Sequence, residues 1–249
     1  MNLWRLEWLR LWRTKRWIAL VGVYLFFGFL GPLSARYLNE ILARTAQLQE
    51  GAVIKLPPPT PADGIAQYVG NAAQLGILVV VVVAAGAFVM KPEMATFLRT
   101  RVQGMVRLLA PRYVVSVAAA TGAFLLGTGA AWYETSVLLG GLPAGRMLAG
   151  AGYGVLALLF VVSVVAAVSS RSKNTLGTVL ISIVVLLLLP LVGLIHGVAK
   201  WVPTSLISAM SDLARDASVG DFTKTAIVTV VVTAGLLWFA VWGHAHREV

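Results

Sequence analysis

What most constrains this chain is a set of apolar runs recurring from one end to the other, each about 20 residues long and able to cross the hydrocarbon core of a bilayer as a helix. They fall at about 17–33, 68–90, 113–132, 147–168, 174–195 and 226–242. The β-branched run at 77–83 is no exception, because a lone strand in lipid would leave its backbone groups unpaired whereas a helix satisfies its own. Composition agrees: 59% of the 249 residues are hydrophobic and only 12% charged, against roughly 25% charged in a soluble domain. The expected fold is therefore an all-α integral membrane protein, a single transmembrane domain over 1–249 with six transmembrane helices. Cysteine is absent, which excludes disulfides, iron–sulfur ligation and thiol catalysis.

The segments between the runs carry the polar residues. Residues 1–16 hold five basic side chains, and Trp4, Trp8, Leu11 and Trp12 share one third of a helical wheel, as an interfacial helix requires. A secretory signal is the competing reading, with 17–33 as its apolar region and a small-residue site at 33–35. Gly31-Pro32 is expected to stop or bend the first span. The stretch 35–49 reads as helix. The stretch 55–63, with Pro57, Pro58, Pro59 and Pro61, reads as extended chain. Pro190 is expected to break the fifth span. Between the fifth and sixth spans, Leu206, Ile207, Met210, Leu213 and Ala214 recur at helical spacing opposite Asp212, Arg215 and Asp216, a pattern for a helix lying on a surface. Gly150 and Gly154 form a small-xxx-small pair; it either brings two helices close or reflects the frequency of Gly in membrane helices.

Six spans put both termini on one side, and charge says which. The face carrying 1–16, 91–112, 170–174 and 244–249 holds 13 of the 20 Lys and Arg and a net charge of +10, against 0 for the opposite face. By the positive-inside rule both termini are cytoplasmic, in the cell membrane. The overall charge of +10 then orients the chain and meets anionic lipid; it does not indicate nucleic acid.

Candidate chemistry is sparse. Catalysis or ion coupling within a membrane needs Asp, Glu or His at depth. Glu134 and His196 fall at outer span ends within reach of water, and His244 and His246 have no third ligand nearby for a metal. No Gly-Lys dipeptide occurs, so there is no phosphate-binding loop of the G-x-x-x-x-G-K-[ST] type. Asn71 and Gln74 on the second span, with Thr175, Thr178 and Ser182 on the fifth, either line a translocation route or hydrogen-bond between helices. The basic segment 91–112 is too long for a simple connector. Met94, Phe97, Leu98, Arg101 and Val102 share rough helical spacing, as in a short amphipathic helix that lies on lipid or enters a partner's groove.

This layout resembles the ABC type-2 permease family over nearly the whole chain: an interfacial basic helix, a helical loop between spans 2 and 3, outer helices between spans 5 and 6, and a short basic tail. Glu93, Thr96, Phe97 and Leu98, followed by Pro111-Arg112, occupy places comparable to the family's coupling loop, with Met94 and Ala95 where its Glu-x-Gly-Thr form carries Gly. The resemblance implies a permease subunit of an ABC exporter. Its coupling helix, with Glu93, Met94, Thr96, Phe97, Leu98, Arg99 and Arg101, would dock on a separate ATPase subunit, and a second permease chain, identical or paralogous, would complete the pathway. ATP and Mg would be bound by the partner, so this chain is expected to be no enzyme by itself. A secondary transporter, a non-catalytic membrane scaffold and a membrane-embedded enzyme are the other readings of the same residues.

Overall fold

The computed structural model describes residues 3–47, 57–89, 104–172, 174–193 and 201–246, among which every regular element is helical. Helix α1 (Leu3–Arg13) ends in a turn where Lys15 takes a left-handed φ of 55°, and α2 (Arg16–Gln47) follows. The second crossing is one continuous helical rod made of α3 (Pro61–Asn71), a π turn (Ala72–Gly76) and α4 (Ile77–Phe88). Then come α5 (Met105–Leu138), α6 (Ala144–Ser169) and α7 (Thr175–Val192). A 3₁₀ turn (Pro203–Ile207) and the short α8 (Ala209–Ala214) follow, and a second 3₁₀ turn (Val219–Phe222) leads into α9 (Thr223–Ala245). Arg16–Leu38, Pro61–Phe88, Met105–Leu138, Ala144–Ser169, Thr175–Val192 and Val219–Ala245 are each long and apolar enough to cross a bilayer. The chain is an all-α integral membrane protein with six transmembrane helices.

The crossings lie where hydropathy puts them, but their ends do not. Helix α2 runs through Gly31-Pro32 to Gln47 without stopping. Pro32 withholds one N–H, yet a break inside lipid would strand several backbone groups instead of one. The extended proline stretch ends at Thr60. Pro61 occupies the first helical turn, where its missing N–H costs nothing, and Asp63 accepts from the Thr60 N–H at 2.9 Å in a capping box. The second crossing thus starts at Pro61, ahead of the expected residue 68. Residues 105–112 belong to α5 and not to the loop, with Pro111 inside the helix. Pro190 sits in the last turn of α7 and does not break it. The coupling segment with Glu93, Met94, Thr96, Phe97, Leu98, Arg99 and Arg101 lies outside the described residues.

Small residues set the packing. Helices α2 and α5 form the most extensive pair, and at their crossing a Cβ on Gly28 would lie 2.6 Å from the Gly127 carbonyl oxygen. A Cβ on Gly127 would in turn lie 2.5 Å from the Tyr24 carbonyl oxygen. Without glycine at both positions the backbones could not approach so closely, and in lipid such van der Waals contact is a principal source of helix association. Tyr68 is fully buried beside this seam and donates through its hydroxyl to the Phe124 carbonyl at 3.2 Å. Gly150 and Gly154 are both close-contact sites, but toward different partners, Met210 of α8 and Phe124 of α5. Helix α6 is the central one, 61% buried along its span, whereas α7 is only 11% buried and presents Leu176, Leu180, Val184 and Leu188 outward, as suits a lipid-facing helix.

Replacing Gly127 by Leu should force α2 and α5 apart. The expected cost is about 2 kcal/mol or more of overpacking, seen as a melting temperature lower by about 4–8 °C in detergent. The same change at Gly122, whose Cβ would meet nothing within 4 Å, should leave the melting temperature near wild type.

Candidate transport cavity

The second and fifth crossings do not pack flush. Between them, closed on one side by the 203–214 elements, lies a cavity of about 730 Å³. The second crossing contributes Ala66, Val69, Gly70, Ala73, Gln74, Ile77, Leu78 and Val81; α7 contributes Ile183, Leu186, Leu187 and Pro190. The π turn lies midway along this wall. Single π turns within α-helices are frequent at functional sites, because the wider turn redirects side chains and loosens the regular hydrogen-bond ladder. Its last residue, Gly76, makes room for Tyr24: a Cβ there would come 2.8 Å from the Tyr24 ring.

Among the described residues the lining is apolar apart from Gln74, Thr204, Ser205, Ser208 and Ser211, and none of these lining side chains is charged. Three of these hydroxyls are already committed as donors. Ser205 gives to the Val202 carbonyl at 2.9 Å, Ser211 to the Ser208 carbonyl at 2.7 Å, and Ser208 to the Ser205 carbonyl at 3.1 Å and the Asp212 carboxylate at 3.0 Å. Their oxygens keep acceptor capacity. Pro190 has no N–H to offer the Leu186 carbonyl, so the regular helix ladder of α7 lacks one bond beside the cavity. The polar end of the cavity is therefore rich in acceptors, with the Gln74 amide able to donate as well.

The far end is fastened by polar contacts. Arg215 reaches Asp63 at 3.5 Å, Arg146 pairs with Asp216, and the Tyr153 hydroxyl donates to the Val219 carbonyl at 2.9 Å. Asp216 holds a left-handed φ of 73° in the turn after α8. The apolar face expected at 206–214 is real: Leu206, Met210 and Leu213 are buried against the bundle. It is divided, however, between a 3₁₀ turn and a helix of 6 residues.

Of the five proposed pathway residues, Gln74 alone lines the cavity. Asn71 is half-buried one turn away, and Thr175 is exposed at the start of α7. Thr178 and Ser182 are fully buried in the stripe that packs α7 on its neighbours, with the Thr178 hydroxyl donating to the Asn174 carbonyl at 3.0 Å. That bond stays within α7 and does not join two helices. Glu134 is half-buried near the end of α5; His196 lies outside the described residues. His244 is buried in α9 with Nδ1 2.8 Å from the Ala240 carbonyl oxygen, and His246 is exposed. The serines at 205, 208 and 211 were missed, although their spacing of three is a sequence signal for one polar edge of a 3₁₀-like segment.

The chain is similar to the uncharacterized transmembrane protein YxlG of Bacillus subtilis (strain 168), with 24% identity over the whole of this chain and 98% of that protein. No family model matches, and no solved structure matches. The likeness accords with a multi-pass membrane protein.

Because the chain has no cysteine, single-cysteine variants report on one place each. Gln74→Cys and Ser208→Cys should react with a neutral, membrane-permeant maleimide roughly tenfold or more faster than Thr178→Cys and Ser182→Cys, since thiol access governs the rate. Equal rates at all four positions would remove the cavity.

Proposed function

We propose that this chain is the membrane-spanning permease subunit of an ATP-binding-cassette exporter, with both termini in the cytoplasm. The observation that carries the reading is the cavity of about 730 Å³ between the second and fifth crossings, whose described lining residues carry no charge. Its size suits a small-molecule or lipid-sized cargo. Its described lining offers no ionisable group through which an ion gradient would drive transport, which favours an outside energy source. The ligand that fits this described lining is uncharged: an apolar body in the Val-Leu-Ile lining and a hydrogen-bond-donating end toward Ser205 and Ser208.

The motor in this reading is a separate ATPase subunit that binds ATP and Mg and docks on the coupling segment with Glu93, Met94, Thr96, Phe97, Leu98, Arg99 and Arg101. A second permease chain, identical or paralogous, completes the pathway. The chain itself is no enzyme. Linkage then requires cargo in the cavity to alter nucleotide binding by the partner by the same factor that nucleotide alters cargo affinity.

A secondary transporter is the second reading, and one observation favours it: the π turn halfway along the second crossing is the kind of local irregularity that such carriers place beside their substrate. Uptake into proteoliposomes driven by a sodium or proton gradient, with no nucleotide present, would decide for it.

The ATP-driven reading predicts that the purified chain carries an ATPase with it, and that combined charge reversal at Glu93, Arg99 and Arg101 releases that subunit. Leu186→Trp, which fills the cavity, should abolish cargo-stimulated ATP hydrolysis while leaving co-purification intact. Full ATPase coupling after the charge reversal would refute the contact; unchanged stimulation in Leu186→Trp would refute the route.

A further inference from the structure

On the face that carries the termini, three guanidinium groups converge on a single carboxylate. Glu7 of α1 is 6% exposed, with Oε1 3.1 Å from Nε of Arg112 and Oε2 3.6 Å from Nη1 of Arg10. Arg10 also donates from Nη2 to the Gly86 carbonyl at 3.0 Å, at the end of the second crossing. Arg16 lies against the same glycine, where a Cβ would come within 2.5 Å of its Nη1. Three spans and α1 thus meet around these side chains, and Arg10, Arg16 and Arg112 against Glu7 leave a net charge of +2.

This charge is poorly satisfied. Arg112 is 2% exposed, and among the described residues its buried Nε and Nη1 find no hydrogen-bond acceptor in suitable geometry, Glu7 serving as an ion-pair partner only. An Arg without full pairing in so dry a place is costly, and a buried cation normally finds a counter-charge with oxygens to fill its donors. A void of about 20 Å³ opens among Glu7, Arg10, Arg16, Arg112, Thr14 and Ser116, enough for one water or one oxygen atom of a larger anion. The side chain of Arg10 is 33% exposed, so the void has a wet side. Trp4, Trp8 and Trp12 project outward from α1, at 47%, 51% and 57% exposure, and indole rings settle at the level of lipid headgroups.

We propose that Arg10, Arg16 and Arg112 form a binding site for a phosphate group, one oxygen entering the void beside Arg112 and the remainder resting against Arg10 and Arg16. Guanidinium groups match phosphate oxygens in geometry as well as in charge. An anionic lipid headgroup and free phosphate both supply that chemistry, and the height of the tryptophans favours the lipid. Glu7 competes with the ligand for the same donors. The site does not depend on the transport reading, since it uses none of the cavity residues.

The test is thermal unfolding of the full chain, followed by tryptophan fluorescence, in nanodiscs of phosphatidylcholine alone or with one third phosphatidylglycerol. Phosphatidylglycerol should raise the midpoint by about 3 °C or more. A rise with inorganic phosphate over chloride at equal ionic strength, in phosphatidylcholine alone, would identify free phosphate as the source and also support the site. Arg10→Gln and Arg16→Gln, at less buried positions than Arg112, should each lose most of the shift. Glu7→Gln gives the discriminating sign: with the competing carboxylate gone, the shift should exceed that of the wild type. No shift with either ligand would overturn the proposal. So would a shift that survives Arg10→Gln and Arg16→Gln, or a Glu7→Gln variant whose shift is no larger than wild type.

Discussion

The approach of α2 to α5 at Gly28 and Gly127 is the contact on which the bundle is built. In hydrocarbon, apolar faces gain nothing by leaving the solvent, so a helix pair holds only where its backbones come close enough for dense van der Waals contact. Here a single Cβ on either glycine would strike a carbonyl oxygen of the other helix. From that seam the neighbours follow. The Tyr24 ring leans over Gly76 and meets Phe124 edge-on at 5.8 Å, and Tyr68 hydrogen-bonds back to α5. The second crossing is thereby held from α2 and α5, which leaves its opposite side to face α7 across the cavity.

The two ends of this frame are fastened by different chemistry. At the end away from the termini, the ion pairs Asp63–Arg215 and Arg146–Asp216 join exposed partners, and pairs of that sort contribute on the order of 0–1 kcal/mol each. The elements at 203–222 are held mainly by the buried Leu206, Met210 and Leu213. At the end with the termini, Glu7 and Arg112 are both buried, and separating them strands a charge. The end beside the cavity is thus the easier one to loosen, while α1 and the foot of α5 stay joined.

Hydropathy made the crossings legible, because an apolar run of the right length has one stable conformation in lipid. Their ends were less so. Pro61 reads as part of a proline-rich connector until Thr60 and Asp63 are seen to cap it, and Met105–Arg112 reads as loop because Arg107 and Arg112 interrupt the apolar pattern. The role of Arg112 rests on Glu7, distant in sequence and brought close only when α1 folds under the bundle. The cavity had no strong local signal either. Gln74 was identifiable as a polar residue in an apolar run, but Thr178 and Ser182 looked equivalent and proved to face neighbouring helices. What separates them is the rotation of each crossing about its own axis, which packing sets and hydropathy does not.

The π turn has a geometric consequence for the rest of its helix. An α-helix advances about 100° per residue, and a turn closed from i to i+5 advances less. Passing through Ala72–Gly76, the chain falls behind the ideal phase, so Leu78 arrives on the side already occupied by Ala66 and Gly70. Ala72–Gly76 therefore sets the angular phase between the two halves of the crossing. Tightening it to regular α geometry would spin the α4 half by a fraction of a turn, moving Leu78 off the cavity wall and dragging Gly86 past Arg10 at the far end of the same rod.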